Sequence, residues 1–189
     1  MAYNVDIDEK ELVGLVRKGD TAAMKMLYCT YAGRLAAVCS RYVSVDDDVK
    51  DIIHDVFIKA FTSISRFEYR GKGSLGAWLS RIAVNEALSF LRRNGRFGER
   101  IDDERMPDMA DEGTPDIDDI PTQVIYDMIR RLPEGYRTVF NLSVIENMGH
   151  AEIARTLGIS ESTSASQLHR AKRQLAAWIK EYRQKSNLD

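Results

Sequence analysis

Little in this chain can carry redox, metal or membrane chemistry. Among 189 residues there are two cysteines and three histidines. Cys29 and Cys39 fall on one predicted helix, where their spacing turns the side chains about 80° apart and sets them about 15 Å apart along the axis. They cannot bridge, and both read as small core residues. His54, His150 and His169 are scattered, none with a second ligand at metal spacing, so no metal and no cofactor is expected. The same scatter leaves no nucleophile, base or metal constellation and argues against an enzyme. No apolar run approaches membrane-spanning length, and the N-terminus lacks the basic, apolar, small-residue order of a secretory signal. With 44% hydrophobic and 30% charged residues, the composition fits a soluble cytoplasmic protein without membrane insertion.

Strand signals are missing as well. Apolar periodicity is helical nearly everywhere, which predicts an all-α fold with helices near 8–18, 20–42, 46–64 and 74–94 in the first half. The net charge of -2 conceals a division. Residues 1–98 hold 15 Lys/Arg against 12 Asp/Glu, and 123–189 hold 10 against 7, so both ends are net +3. Between them Glu99–Thr122 carries ten acids, two arginines and the helix breakers Pro107, Gly113, Pro115 and Pro121. Such a segment cannot bury enough apolar surface to fold. The expectation is two small helical domains, 1–98 and 123–189, joined by an acidic flexible linker at 99–122.

Three stretches point to function. The run HAEIARTLGISESTSASQLHRAK (His150–Lys172) reads as two short helices bent around a turn. Ala154 admits a close crossing, Gly158 can take the positive φ that ends the first helix, and Ser160 can cap the second. Ile153, Leu157, Ile159 and Leu168 supply the apolar wedge. That is a helix-turn-helix, whose second helix enters a DNA major groove, although such hairpins also occur in purely structural bundles. Upstream, Val49, Ile52, Ile53, Val56, Phe57, Ala60, Phe61 and Ile64 form a buried stripe. Asp51 and Asp55 lie on the other side, like charges one turn apart that weaken an isolated helix by roughly 0.2–0.5 kcal/mol. They suit either a solvated face or a docking face for a basic partner. The loop FEYRGKGS (Phe67–Ser74) mixes aromatic, basic and glycine residues. On the helix after it Leu75, Trp78, Leu79, Ile82, Ala83 and Phe90 share one side, with Arg81, Asn85 and Arg92 on an adjacent stripe. Rings that stack on bases beside guanidinium groups that meet phosphates suit single-stranded nucleic acid. Glu86 falls on the apolar side, where periodicity offers no reason for it.

The run DIIHDVFIKAFTSISRFEYRGKGSLGAWLSRIAVNEALSFLRR (Asp51–Arg93), followed by LPEGYRTVFNLSVIENMGHAEIARTLGISESTSASQLHRAKRQL (Leu132–Leu175), closely resembles bacterial sigma factors of the extracytoplasmic-function (ECF) group. The resemblance covers nearly the whole chain in the family's domain order. It implies a transcription initiation factor that binds core RNA polymerase, directs it to promoters and assists their opening. The stripe at Asp51, Asp55 and Ile58 matches the family's surface for the polymerase clamp helices. Phe67, Tyr69, Arg70, Lys72, Trp78, Arg81, Asn85, Arg92 and Arg93 match its contacts to the -10 element, including the loop that receives an extruded base, a step costing a few kcal/mol that a preformed pocket offsets. Ser160, Glu161, Ser162, Thr163, Ser166, Gln167, Arg170 and Arg173 match the reader of the -35 element, and the region before them matches the surface that meets the flap. An anti-sigma factor is a further implied partner.

The match departs in the recognition helix. The family's usual run resembles Thr-Val-Lys/Arg-Ser-Arg-Leu, whereas this chain has Thr163, Ser164, Ala165, Ser166, Gln167 and Leu168. Ser164 replaces an apolar wedge residue, so its hydroxyl must find a partner, with the Ser160 carbonyl a candidate, or cost roughly 1–3 kcal/mol. Ala165 and Gln167 remove two cations, which predicts weaker and less salt-dependent phosphate binding. Gln167 is expected to face the groove, where it can still read adenine. His54 stands where the family commonly has Gln. A duplex-binding regulator that does not dock on polymerase is the alternative, but it leaves WLSRIAVN and the loop before it without a purpose.

Overall fold

In a computed structural model of the chain, residues 8–94 and 119–186 are described. Among them the regular structure is helical: α1 (Glu9–Arg17), α2 (Thr21–Cys39), α3 (Asp46–Ser63), a 3-10 turn (Ile64–Arg66), α4 (Ser74–Arg93), α5 (Thr122–Arg131), α6 (Glu134–Phe140), a π-helical turn (Asn141–Ile145), α7 (His150–Leu157) and α8 (Glu161–Ser186). The chain divides into two compact units, with the division after Phe90 in the last turn of α4. Most of the acidic segment 99–122 lies outside the described residues.

The first unit is built on amphipathic helices. Asp20 caps α2 by accepting from the Ala23 amide at 2.9 Å, and Asp46, Asp47 and Asp48 place negative charge in the first turn of α3, where the helix dipole favours it. Leu12, Val13 and Val16 of α1, Leu27 and Leu35 of α2, Ile52 and Val56 of α3, and Leu75, Leu79 and Ala83 of α4 are all buried in the core. Cys39 is buried with them, its Sγ 3.9 Å from the Ala83 carbonyl. Burial pushes its thiol up to about 12. Cys29, expected in the core, is exposed: a nineteen-residue helix presents every direction, and this one points to water.

Glu86 has a partner that periodicity on one helix could not reveal. Lys59 of α3 donates to its Oε1 at 2.6 Å, joining α3 to α4 with the Glu86 side chain 11% exposed and that of Lys59 59% exposed. The carboxylate is thus paired rather than stranded, which is the condition for burying one.

The second unit packs Ile120, Met128, Ile129, Leu132 and Tyr136 against Ala171, Leu175 and Ile179 of α8, with Trp178 half-buried beside them. The Arg131 guanidinium lies 4.7 Å from the Trp178 ring centroid. Residues 119–122, assigned to the linker, belong to this unit, with Pro121 at the N-cap of α5 and Thr122 opening it. Ile120 is 6% exposed in its core. The Asp119 carboxylate accepts from Arg183 at 2.5 Å, a bond that holds its carboxyl below the ordinary range. A lone isoleucine among acids carries no periodic signal, so only packing reveals its role.

Candidate nucleic-acid and polymerase interfaces

The loop after the 3-10 turn owes its shape to two glycines. Gly71 and Gly73 sit at φ +111° and +89°, conformations that side chains rarely adopt. Between them the chain doubles back, so that the Ser74 amide donates to the Gly71 carbonyl at 3.1 Å and the Arg70 amide to Ser74 Oγ at 3.2 Å. The loop and the first turns of α4 form a half-open pocket of about 500 Å³ lined by Arg66, Phe67, Glu68, Arg70, Ser74, Ala77, Trp78 and Arg81. Phe67 and Trp78 stand with ring centroids 5.1 Å apart at 43°. The half-buried Trp78 ring beside the guanidiniums of Arg66, Arg81 and Arg70, the last paired with the Glu68 carboxylate at 3.2 Å, combines stacking with cationic charge.

Five of the nine predicted -10 residues do not line this cavity. Tyr69 and Lys72 belong to the loop; Asn85 is exposed one turn beyond Arg81; Arg92 and Arg93 are exposed at the end of α4, past the division between units. Partial burial, then the carboxylates of Asp8 and Glu9, push the Tyr69 phenol up. Phe67 departs from its predicted role as a free stacking ring, since it is 5% exposed and packed on Trp78. Arg66 and Ala77 lie outside the loop that the sequence points to, because a 3-10 turn and the first turn of α4 converge on it only in three dimensions.

On α3, Asp51, Asp55 and Ile58 are exposed opposite the buried stripe, Ile58 at 51%. Ile58 stands about one turn beyond Asp55, a half-exposed apolar side chain beside two exposed carboxylates.

The helix-turn-helix forms as its turn chemistry dictates. Gly158 ends α7 at φ +72° and ψ 31°, with the Gly158 and Ile159 amides both donating to the Ala154 carbonyl, at 2.9 and 3.1 Å. Ser160 Oγ accepts from the Thr163 amide at 3.0 Å and contacts the Ser162 and Thr163 hydroxyls, each at 2.8 Å. Ser160 is therefore engaged as a cap. Ser164 is fully buried, as a wedge residue should be. Its partner is not the Ser160 carbonyl, which accepts the Ser164 amide at 3.0 Å. The hydroxyl meets His150 Nδ1 at 2.9 Å, tying the first residue of α7 to α8.

The outward face of α8 differs from expectation in one residue. A Cβ on Gly135 of α6 would come within 3.3 Å of Gln167 Nε2 and 3.5 Å of its Oε1. Gln167, half-buried, thus rests on α6 instead of facing the groove. At 100° per residue it stands only 60° from Ser164, on the flank of the buried stripe. The face opposite Ser164 carries exposed Ser162, Ala165, Ser166 and His169, with Glu161 and Lys172 exposed at its border; Thr163, Arg170 and Arg173 are half-buried. His169 was passed over because a lone histidine gave no metal signal.

Region 2 of sigma-70 matches the chain over residues 27–97, and region 4 of sigma-70 over 122–175. These two regions, in this order, define the class: sigma-70-type factors. The chain is similar to the ECF RNA polymerase sigma-E factor of Haemophilus influenzae, 31% identical over 177 residues that span 88% of this chain and 92% of that one. The sigma-E factor of Escherichia coli is 29% identical, covering 88% and 91%. Among solved structures, CnrH in complex with the cytosolic domain of CnrY aligns over 92% of this chain and 97% of that chain at 23% identity, with a TM-score of 0.47. The chain belongs to the ECF sigma factors of bacterial RNA polymerase. It is a transcription initiation factor that binds core polymerase and takes it to promoters. No helix among the described residues is long and apolar enough to cross a membrane.

Proposed function

We propose that the cavity between the loop and α4 receives an unpaired base of the -10 element. The observation that carries this reading is the half-open pocket of about 500 Å³ lined by Trp78, Arg66, Arg70 and Arg81, with Phe67 and Glu68 beside them. A base needs a ring to stack on, and its flanking phosphates need cations. Asn85, exposed one turn beyond Arg81, offers an amide donor and acceptor to the same strand. The resemblance adds Arg92 and Arg93, at the end of α4, as contacts to the -10 DNA. On the same reading Asp51, Asp55 and Ile58 dock on the clamp helices, and the outward face of α8 enters the major groove at the -35 element. The region before α8 meets the flap. The protein acts in the cytoplasm, and an anti-sigma factor that covers these faces is the partner the resemblance adds.

Permanganate footprinting of the -10 region tests the cavity. Asn85→Ala is expected to slow opening from the bound state while initial duplex binding stays within about twofold, because its lost contacts exist only with an unpaired base. Trp78→Ala, which also removes the ring packed on Phe67, is expected to do the same, with circular dichroism at the wild-type level as its control. A fall in duplex binding with an unchanged opening rate identifies the loop as a duplex contact instead.

A further inference from the structure

The cavity's loop is held from below by a helix that has no part in its lining. Arg17, the last residue of α1, donates from Nε to the Ile64 carbonyl at 3.2 Å and from Nη2 to the Phe67 carbonyl, fastening the segment that enters the loop. Glu9, the first residue of α1, accepts from the Gly73 amide at 2.6 Å on Oε2 and from the Leu75 amide at 2.5 Å on Oε1, fastening the segment that leaves it. A cation thus meets carbonyls at one end of the loop and an anion meets amides at the other. The Leu75 amide is one of the donors that the start of α4 leaves unsatisfied, and a distant carboxylate fills the place of a local cap. Between Glu9 and Arg17, Leu12, Val13 and Val16 seat α1 in the core, so both charged ends are anchored to a rigid element.

A loop with two left-handed glycines has many unfolded conformations, and stacking on an extruded base requires one of them. We propose that Glu9 and Arg17 are positioning residues for strand capture, fixing the loop in its base-receiving shape before DNA arrives. The inference rests on the cavity's being the -10 base site. Its physical content is preorganisation: the ordering cost is met at folding and not at promoter opening.

The test uses holoenzyme assembled from the full chain and core polymerase, on a promoter fragment that the wild-type holoenzyme transcribes in run-off assays. Glu9→Gln is expected to slow permanganate-detected opening about tenfold at saturating holoenzyme, since a charge-assisted acceptor of two amides is lost. Closed-complex affinity and circular dichroism should stay at the wild-type level, a combination that general loss of fold does not produce. Trp78→Ala serves as the reference for the cavity itself. Slower opening in Trp78→Ala with an unchanged rate in Glu9→Gln overturns the positioning role; unchanged rates in both overturn the cavity assignment. Hydrogen exchange on the wild-type chain gives a second readout that needs no variant to fold. The Gly73 and Leu75 amides should be protected, and free exchange at both also overturns the inference.

Discussion

A fully buried serine in the crossing of a helix-turn-helix is tolerable only if its hydroxyl is bonded, and here the bond reaches across to His150. The wedge is therefore part apolar and part polar, with one hydrogen bond joining α7 to α8. Removing either partner strands the other, Ser164 more severely because it has no access to water. We expect Ser164→Ala and His150→Ala each to destabilise the second unit by about 1 kcal/mol and the double variant by little more than either alone. Thermal unfolding of the four proteins checks this; additive losses would show that the pair is not coupled. Ser164→Val buries a branched group but breaks the same bond, so its stability should change by under about 1 kcal/mol. Cys39 supplies a second residue-scale outcome. Its thiol is raised from about 9 to about 12, so the neutral form is the one that fits. The stability this contributes is fully present below about pH 9 and is lost as pH rises toward 12. At pH 8 a thiol reagent should modify exposed Cys29 and spare Cys39 until the unit unfolds, which mass spectrometry reads directly.

At the scale of the element, α8 carries two jobs along one cylinder. Ser164, Ala171, Leu175 and Ile179 are buried along it, and the opposite side presents Ser162, Ala165, Ser166 and His169. A cation added to the outward side can reach a phosphate, whereas one added at Gln167 must first leave α6. Ala165→Arg should steepen the slope of log affinity against log salt for -35 duplex binding by about one phosphate contact, and Gln167→Arg by less. Equal slopes in the two variants would place Gln167 on the groove face after all. On this face Ala165 stands where the family's pattern carries a cation, and Arg170 and Arg173 are half-buried.

Across the whole molecule, two basic ends flank ten acids in a segment of 24 residues. The acids proposed for docking, Asp51 and Asp55, sit elsewhere, on α3. Asp51 and Asp55 are exposed, so reversing both to Lys should leave circular dichroism unchanged. Affinity for core polymerase should fall at least tenfold, because charge reversal at a desolvated contact costs a few kcal/mol whereas a solvated face would lose almost nothing. Native gel shift distinguishes the two. The effect should shrink as salt rises, since screening weakens both the original attraction and the introduced repulsion.

What the chain's order of residues determined by itself is what local rules govern. Helix limits followed from apolar spacing, the ending of α7 from Gly158, the start of α8 from Ser160, and the faces of α3 from its 3.6-residue repeat; each depends on neighbours within one or two turns. The family was legible for the same reason, as contiguous motifs in the right order. The tertiary structure alone decided which polar groups meet. Glu86 finds Lys59 across 27 positions, Glu9 finds Gly73 and Leu75 across 64 and 66, and Ser164 finds His150 across 14. A burial pattern indicates that a polar residue needs a partner but carries no information on which element will supply it. That choice is made where helices cross, and there Gln167 turned to α6, Phe67 went under Trp78, and α1 acquired its hold on the loop.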